Sequence, residues 1–244
     1  MAVCYLVGAL VVILANVTAV PEAFRMIFVG AFTPEAVLGG AVGIGIQQAM
    51  RYGVARGLFS NEAGMGSTPH AHAMADVKRP EDQGPIAMVC VFIDTFVVLT
   101  LTALVVLTSG VFDTSDLAAV NANIGADALA QAAFSNVFGT FGSMFVAICL
   151  LFFAFSTIVG WYFFGQQNVK YLFGSKAVSV YSVIVVLCII VGSALKVDLV
   201  WNLSDFFNGL MALPNLIALA LLSGVVVKCT KEYFAKGKSL EEPK

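Results

Sequence analysis

Apolar positions in this chain come in long uninterrupted runs, not in the two-residue or 3.6-residue rhythm of a water-soluble domain. Residues 1–20 carry no charge and predict a first spanning helix, ended by Pro21. Residues 86–110 predict another, with one acid, Asp94, and residues 138–165, 177–195 and 206–227 predict three more with no charged side chain at all. Between the first two runs, residues 22–32 place Phe24, Ile27, Phe28 and Phe32 at helical spacing beside Glu22 and Arg25. That segment is too short to span and predicts an interfacial helix.

One segment breaks the pattern. Residues 36–75 are too long and too polar for an ordinary span, and within them residues 57–73, GLFSNEAGMGSTPHAHA, set Ser60, Asn61, Glu62 and Ser67 among Gly57, Gly64 and Gly66. Glycines let the backbone leave a helix cheaply. At membrane depth, non-helical backbone survives only where it is packed in protein or lines a wet cavity. A broken helix, the sixth span, is therefore expected, with its break as a candidate binding site.

The connections complete the layout. Residues 76–83 form a short charged loop, with Pro85 opening the next run, and residues 112–137 form a long connection holding Asp113, Asp116 and Asp127 but no Lys or Arg. Lys78, Arg79, Lys170, Lys176 and the five lysines from Lys228 to Lys244 fall on one side, against only Arg25 and Lys196 on the other. Basic loops stay in the cytoplasm, so the C-terminus is expected inside. A membrane domain is placed at 1–228, and 229–244 is read as a cytoplasmic tail.

Composition agrees: 59% of the 244 residues are hydrophobic and 11% charged, with a mean hydropathy of +0.92. An all-α integral membrane protein follows. The net charge of −2 says little about partners, and no nucleic-acid partner is expected. Cys4, Cys90, Cys149, Cys188 and Cys229 lack metal spacing and read as inert. Met1 opens directly into an apolar run with no basic segment before it, so no cleaved signal peptide is expected.

Few side chains offer chemistry. Thr157 and Trp161 are one helical turn apart, with Ser156 beside them. Hydroxyl oxygens suit a small hard cation and an indole can wall off a methyl group; equally, the hydroxyls can bond their own helix carbonyls while Trp161 packs. Glu62 and Asp94 are ionisable groups near membrane depth, which makes them site candidates. Arg56 is the nearest candidate partner for Glu62, as a structural brace or near a substrate, and no partner is assigned to Asp94. His70 and His72 diverge on a helix and lack a third ligand, so they predict no metal site. Ser60, Ser67 and His70 lack the strand and elbow of a hydrolase, and no enzyme is expected. Asn16-Val17-Thr18 matches a glycosylation sequon by its letters alone. Asp205, Asn208, Pro214 and Asn215 interrupt the last run; Pro214 is expected to kink it and Asn215 to bond a neighbouring helix.

RYGVARGLFSNEAGMGSTPHAHA, FAFSTIVGWYFFG and FNGLMALPNLIALALLSG, in this order, closely resemble motifs of the alanine or glycine:cation symporter family. The resemblance runs from about the first residue to Val227. It implies a leucine-transporter-like inverted-repeat fold, of which the six spans here are similar to helices five to ten. It also implies sodium-coupled symport of alanine or glycine in the cell membrane, with no cofactor beyond the coupling ion. Thr157 and Trp161 match positions used around the bound amino acid. Ser156, Thr157 and the Phe153 carbonyl match a sodium site, and Ser60, Asn61, Gly64 and Gly66 lie where the broken helix supplies groups to substrate. Arg56, Glu62 and Asp94 are left as structural or gating residues. The family's proteins are about double this length, and the other broken helix is absent, so the chain is expected to be a fragment lacking the N-terminal half of the transporter. The alternative is a non-transporting or split subunit that needs a partner chain to supply that half.

Overall fold

The computed structural model describes residues 2–32, 42–111 and 128–241, with side chains over 2–29, 50–111 and 128–235. Every regular element among the described residues is helical. In order these are α1 (Ala2–Ala15), α2 (Val20–Phe32), α3 (Val42–Asn61), α4 (Thr68–His72), α5 (Pro80–Thr108), α6 (Leu129–Phe138), α7 (Thr140–Phe173), α8 (Ala177–Ala194) and α9 (Val197–Glu241). Four of them, α5, α7, α8 and α9, are long and apolar enough to cross a bilayer, and the bent pair formed by 2–15 and 17–29 makes a fifth if counted as one span.

Several boundaries differ from those read in the sequence. The first helix ends at Ala15, not at Pro21. Asn16 leaves the helical region at φ −117°, and its side-chain amide donates to the Val12 carbonyl at 3.0 Å, closing the helix end. A 3-10 turn, Val17–Ala19, follows, and the chain bends by 79° into α2. Pro21 sits in the first turn of α2, where its missing N–H has no helical partner to lose. The expected loop at 76–83 stops at Arg79, because Pro80 starts α5 with Glu81 and Asp82 in the first turn, a favourable place for acids. Pro85 is accordingly inside that helix.

The π-helical stretch Ile93–Val98 carries Asp94 through the middle of α5. The last run is the middle of a 45-residue helix that passes through Pro214 and continues into the segment read as a tail. Of the 112–137 connection, residues 112–127 lie outside the described set; its end is α6. The broken segment is present as α3, a turn at 62–67, and α4. α3 is not among the bilayer-length apolar helices, because Arg51, Arg56, Ser60 and Asn61 dilute its hydropathy. Residues 36–41 of that segment are likewise outside the described set.

The chain divides into two units, 1–54 with 93–159 and 55–92 with 160–244. In the first, α1, the end of α5 and α6 pack around Ala9, Val12, Leu104, Val105, Ala133 and Phe134. Tyr5 brings its ring to Phe134 and its hydroxyl to within 2.8 Å of Thr102 Oγ1, so the polar tip is satisfied. Gly142 lets α7 touch the backbone of Phe134, leaving no room for a Cβ. In the second unit Tyr162 stacks on Tyr181 and bonds Ser182 at 2.7 Å, joining α7 to α8. The outer faces of α8 and α9 are apolar and exposed, as lipid-facing or helix-facing surfaces are.

Candidate functional site: the break after α3

The break is built by backbone conformations that ordinary residues avoid. Glu62, Gly64 and Gly66 have φ of 55°, 92° and 90°. The two glycines adopt this region without a Cβ penalty, whereas Glu62 adopts it against its side chain's preference. Something must hold it there, and its carboxylate accepts a 2.6 Å hydrogen bond from the Ser67 hydroxyl across the turn. Ser67 is only 2% exposed, and Met65 beside it is also buried, so the turn is anchored on both sides.

The backbone N–H groups at the end of α3 are paired in part by the helix itself and in part by the turn. The N–H of Glu62 reaches the Leu58 carbonyl at 3.0 Å, that of Ala63 reaches Asn61 Oδ1 at 2.9 Å, and that of Met65 reaches the Glu62 carbonyl at 3.1 Å. The Gly64 carbonyl accepts from the Asn215 side chain of α9 at 2.8 Å. No such bond is seen, among the described residues, for the N–H of Gly64 or Gly66. These are the polar backbone groups the turn keeps in hand.

Both glycines border a cavity of about 950 Å³ whose wall also includes Glu62, His72, Gln83 and Asn215. The histidines are engaged. His70 Nδ1 lies 3.0 Å from the Ser67 carbonyl, which can only accept, and Asn168 contacts Nε2 at 3.0 Å; Gln83 contacts His72 Nδ1 at 2.7 Å. Among the described residues no cluster of three metal-binding side chains forms.

Arg56 does not pair with Glu62. Six positions apart they point to different sides of α3, and the helix has ended before Glu62 is reached. Arg56 instead reaches Asp205 of α9 at 2.6 Å, with its guanidinium 3.9 Å above the Trp201 ring, and Phe59 meets the same indole edge-on. Trp201 and Asp205 are i, i+4 on α9, a spacing that marks them as one face. The sequence reading noted Asp205 without a partner and missed Trp201. Further along, Arg79 pairs with Asp82 at 2.9 Å and lies 5.5 Å from the Tyr233 ring. Its hydrogen bond to Asp82 raises the Arg79 guanidinium above its ordinary range.

The other predicted site residues lie on α7. The Ser156 hydroxyl donates to the Phe153 carbonyl at 2.9 Å, the arrangement expected of a serine satisfying its own helix. Thr157 is exposed, and half-buried Trp161 packs edge-on against Phe164. Trp161 does not border the cavity at the break, and Ser156, Thr157 and Phe153 belong to the other unit. Asp94 is half-buried within the π stretch of α5.

Comparison with known proteins adds the family. The model of the sodium:alanine symporter family matches residues 1–244. An uncharacterized transporter of Haemophilus influenzae is 41% identical over 98% of this chain and 51% of its own length. A protein named "Probable sodium/glutamine symporter GlnT", of Bacillus subtilis, is 40% identical over all of this chain and 49% of its own, and the sodium/alanine symporter AgcS of Methanococcus maripaludis is 40% identical over 96% and 49%. The chain thus spans about half the length of the curated relatives it matches. No solved structure matches it. With its long apolar helices and a match along its whole length, the chain is a multi-pass membrane protein belonging to the sodium:alanine symporter family.

Proposed function

We propose that the whole protein is a secondary active transporter of the cell membrane that carries a small neutral amino acid, alanine or glycine, together with sodium. The observation that carries this reading is the broken helix, with its glycine turn and uncommitted N–H groups, in a chain of this family. A leucine-transporter-like inverted-repeat arrangement, with these helices as its fifth to tenth and the C-terminus in the cytoplasm, is part of the proposal. So is a second half, on the same polypeptide or on a partner chain; the coverage of only half of each relative supports it.

In this reading sodium is held by oxygen donors on α7, the Ser156 and Thr157 hydroxyls and the Phe153 carbonyl. Ser156 Oγ and Phe153 O already lie 2.9 Å apart, and a hydroxyl that donates to a carbonyl keeps lone pairs for a cation. Trp161, one turn on from Thr157, borders the amino acid's side chain and excludes bulk. Ser60, Asn61, Gly64 and Gly66 supply polar groups to its charged ends. Coupling follows if each ligand orders groups that the other needs.

The test is uptake of labelled alanine into proteoliposomes holding the whole protein, driven by an inward sodium gradient, with glycine and glutamine as competitors. Sodium-dependent uptake that Thr157→Ala and Trp161→Ala each abolish is the expected result. Uptake indifferent to both substitutions removes the site assignment, and uptake indifferent to sodium removes the coupling.

A further inference from the structure

Asn215 lies 151 positions from Gly64, yet its side chain takes up two features of the break at once. Its amide donates to the Gly64 carbonyl at 2.8 Å, and its Cβ, Cγ and Oδ1 occupy, at 3.1 to 3.2 Å, the space a side chain on Gly66 would enter. Gly66 is thus required twice, by its φ of 90° and by the closeness of Asn215. The residue before Asn215 is Pro214, inside α9, which has no N–H to return to the carbonyl four residues earlier. The helix is weakened at the point where it grips the turn.

We propose that Asn215 is the positioning residue of the break, fixing the turn at 62–66 so that the N–H groups of Gly64 and Gly66 stay uncommitted for the amino acid. Holding the Gly64 carbonyl keeps that acceptor from swinging round onto those donors. The Pro214 irregularity gives α9 a place to bend, and Asn215 carries that bend to the turn. Substrate affinity, more than turnover, therefore depends on this side chain. The inference rests on the transport reading given above, but its structural half is testable without it.

The experiment uses the whole protein with Asn215→Asp, which keeps size and loses the donor, Asn215→Gln, which keeps the amide, and Gly66→Ala. Amide hydrogen exchange in detergent reads the turn directly, and alanine uptake in proteoliposomes reads its use. Asn215→Asp is expected to raise exchange in the peptide covering 62–66 about tenfold, the effect of losing one half-buried hydrogen bond, with exchange in α7 and α8 unchanged. The same variant is expected to raise KM for alanine about tenfold while leaving the maximal rate per reconstituted molecule within twofold. Asn215→Gln is expected to recover part of both losses, and Gly66→Ala to reproduce the KM effect without adding to it when combined with Asn215→Asp. Unchanged exchange in 62–66 overturns the proposal. So does a fall in maximal rate at constant KM, which marks a merely structural residue. If the unmodified protein moves no alanine, the transport reading fails, and the exchange arm still decides whether Asn215 fixes the turn.

Discussion

The contact between Arg56 and α9 provides the sharpest stability test. Asp205→Asn removes the negative partner of a guanidinium held at 2.6 Å, in a pair whose side chains are 35% and 26% exposed. At that separation and an effective dielectric of about 20, the attraction is about 6 kcal/mol, most of which desolvation of both charges offsets. Fully exposed pairs net about 0 to 1 kcal/mol and breaking a buried one costs about 3 to 5, so this half-buried pair should cost about 1 to 3 kcal/mol when one partner is removed. Arg56→Gln should cost more than Asp205→Asn, because it also removes the cation–π contact with Trp201, worth about 0.5 to 2 kcal/mol. The double variant leaves no unpaired charge and should lose less than the sum of the singles. Thermal melts in detergent, followed by size-exclusion elution, convert these energies to drops of about 2 to 4 °C per kcal/mol. Single variants that melt with the unmodified protein refute the reasoning. Strict additivity in the double variant would show that the two charges do not interact.

Three further substitutions test the rest of the frame. Ser67→Ala leaves the Glu62 carboxylate without the hydroxyl that fixes it at a positive φ, and should destabilise by about 1 to 3 kcal/mol; a melt within 1 °C or so of the unmodified protein would contradict it. Gly142→Ala drives a methyl into the Phe134 backbone and should cost about 1 to 3 kcal/mol or more, whereas Gly160→Ala, on the same helix with open space beside it, should be neutral or gain about 0.5 to 1 kcal/mol; equal melts for the two would refute the packing of α7 on α6.

Uncharged runs at 138–165, 177–195 and 206–227 were enough to locate α7, α8 and the middle of α9, because a bilayer demands length and apolarity of each helix separately. The break was legible for the same kind of reason: Gly64 and Gly66, close behind the polar Ser60, Asn61 and Glu62, make it cheap for the backbone to leave the helix. The expectation that Asn215 would bond a neighbour was met at the Gly64 carbonyl, although its target could not be named from the chain. Helix ends were less readable. Asn16 stops α1 by capping Val12, and Glu81 and Asp82 join α5 instead of a loop, since capping and dipole effects outweigh the hydrophobic pattern at termini. What only the tertiary structure decided is pairing. Arg56 was assigned to Glu62 because they are close in sequence, but facing helices bring Asp205 and Trp201 to it from 149 and 145 positions away, and Glu62 turns to Ser67. Local propensity reads one helix at a time; which charge meets which depends on side-chain directions across helices, and those exist only once the helices have packed.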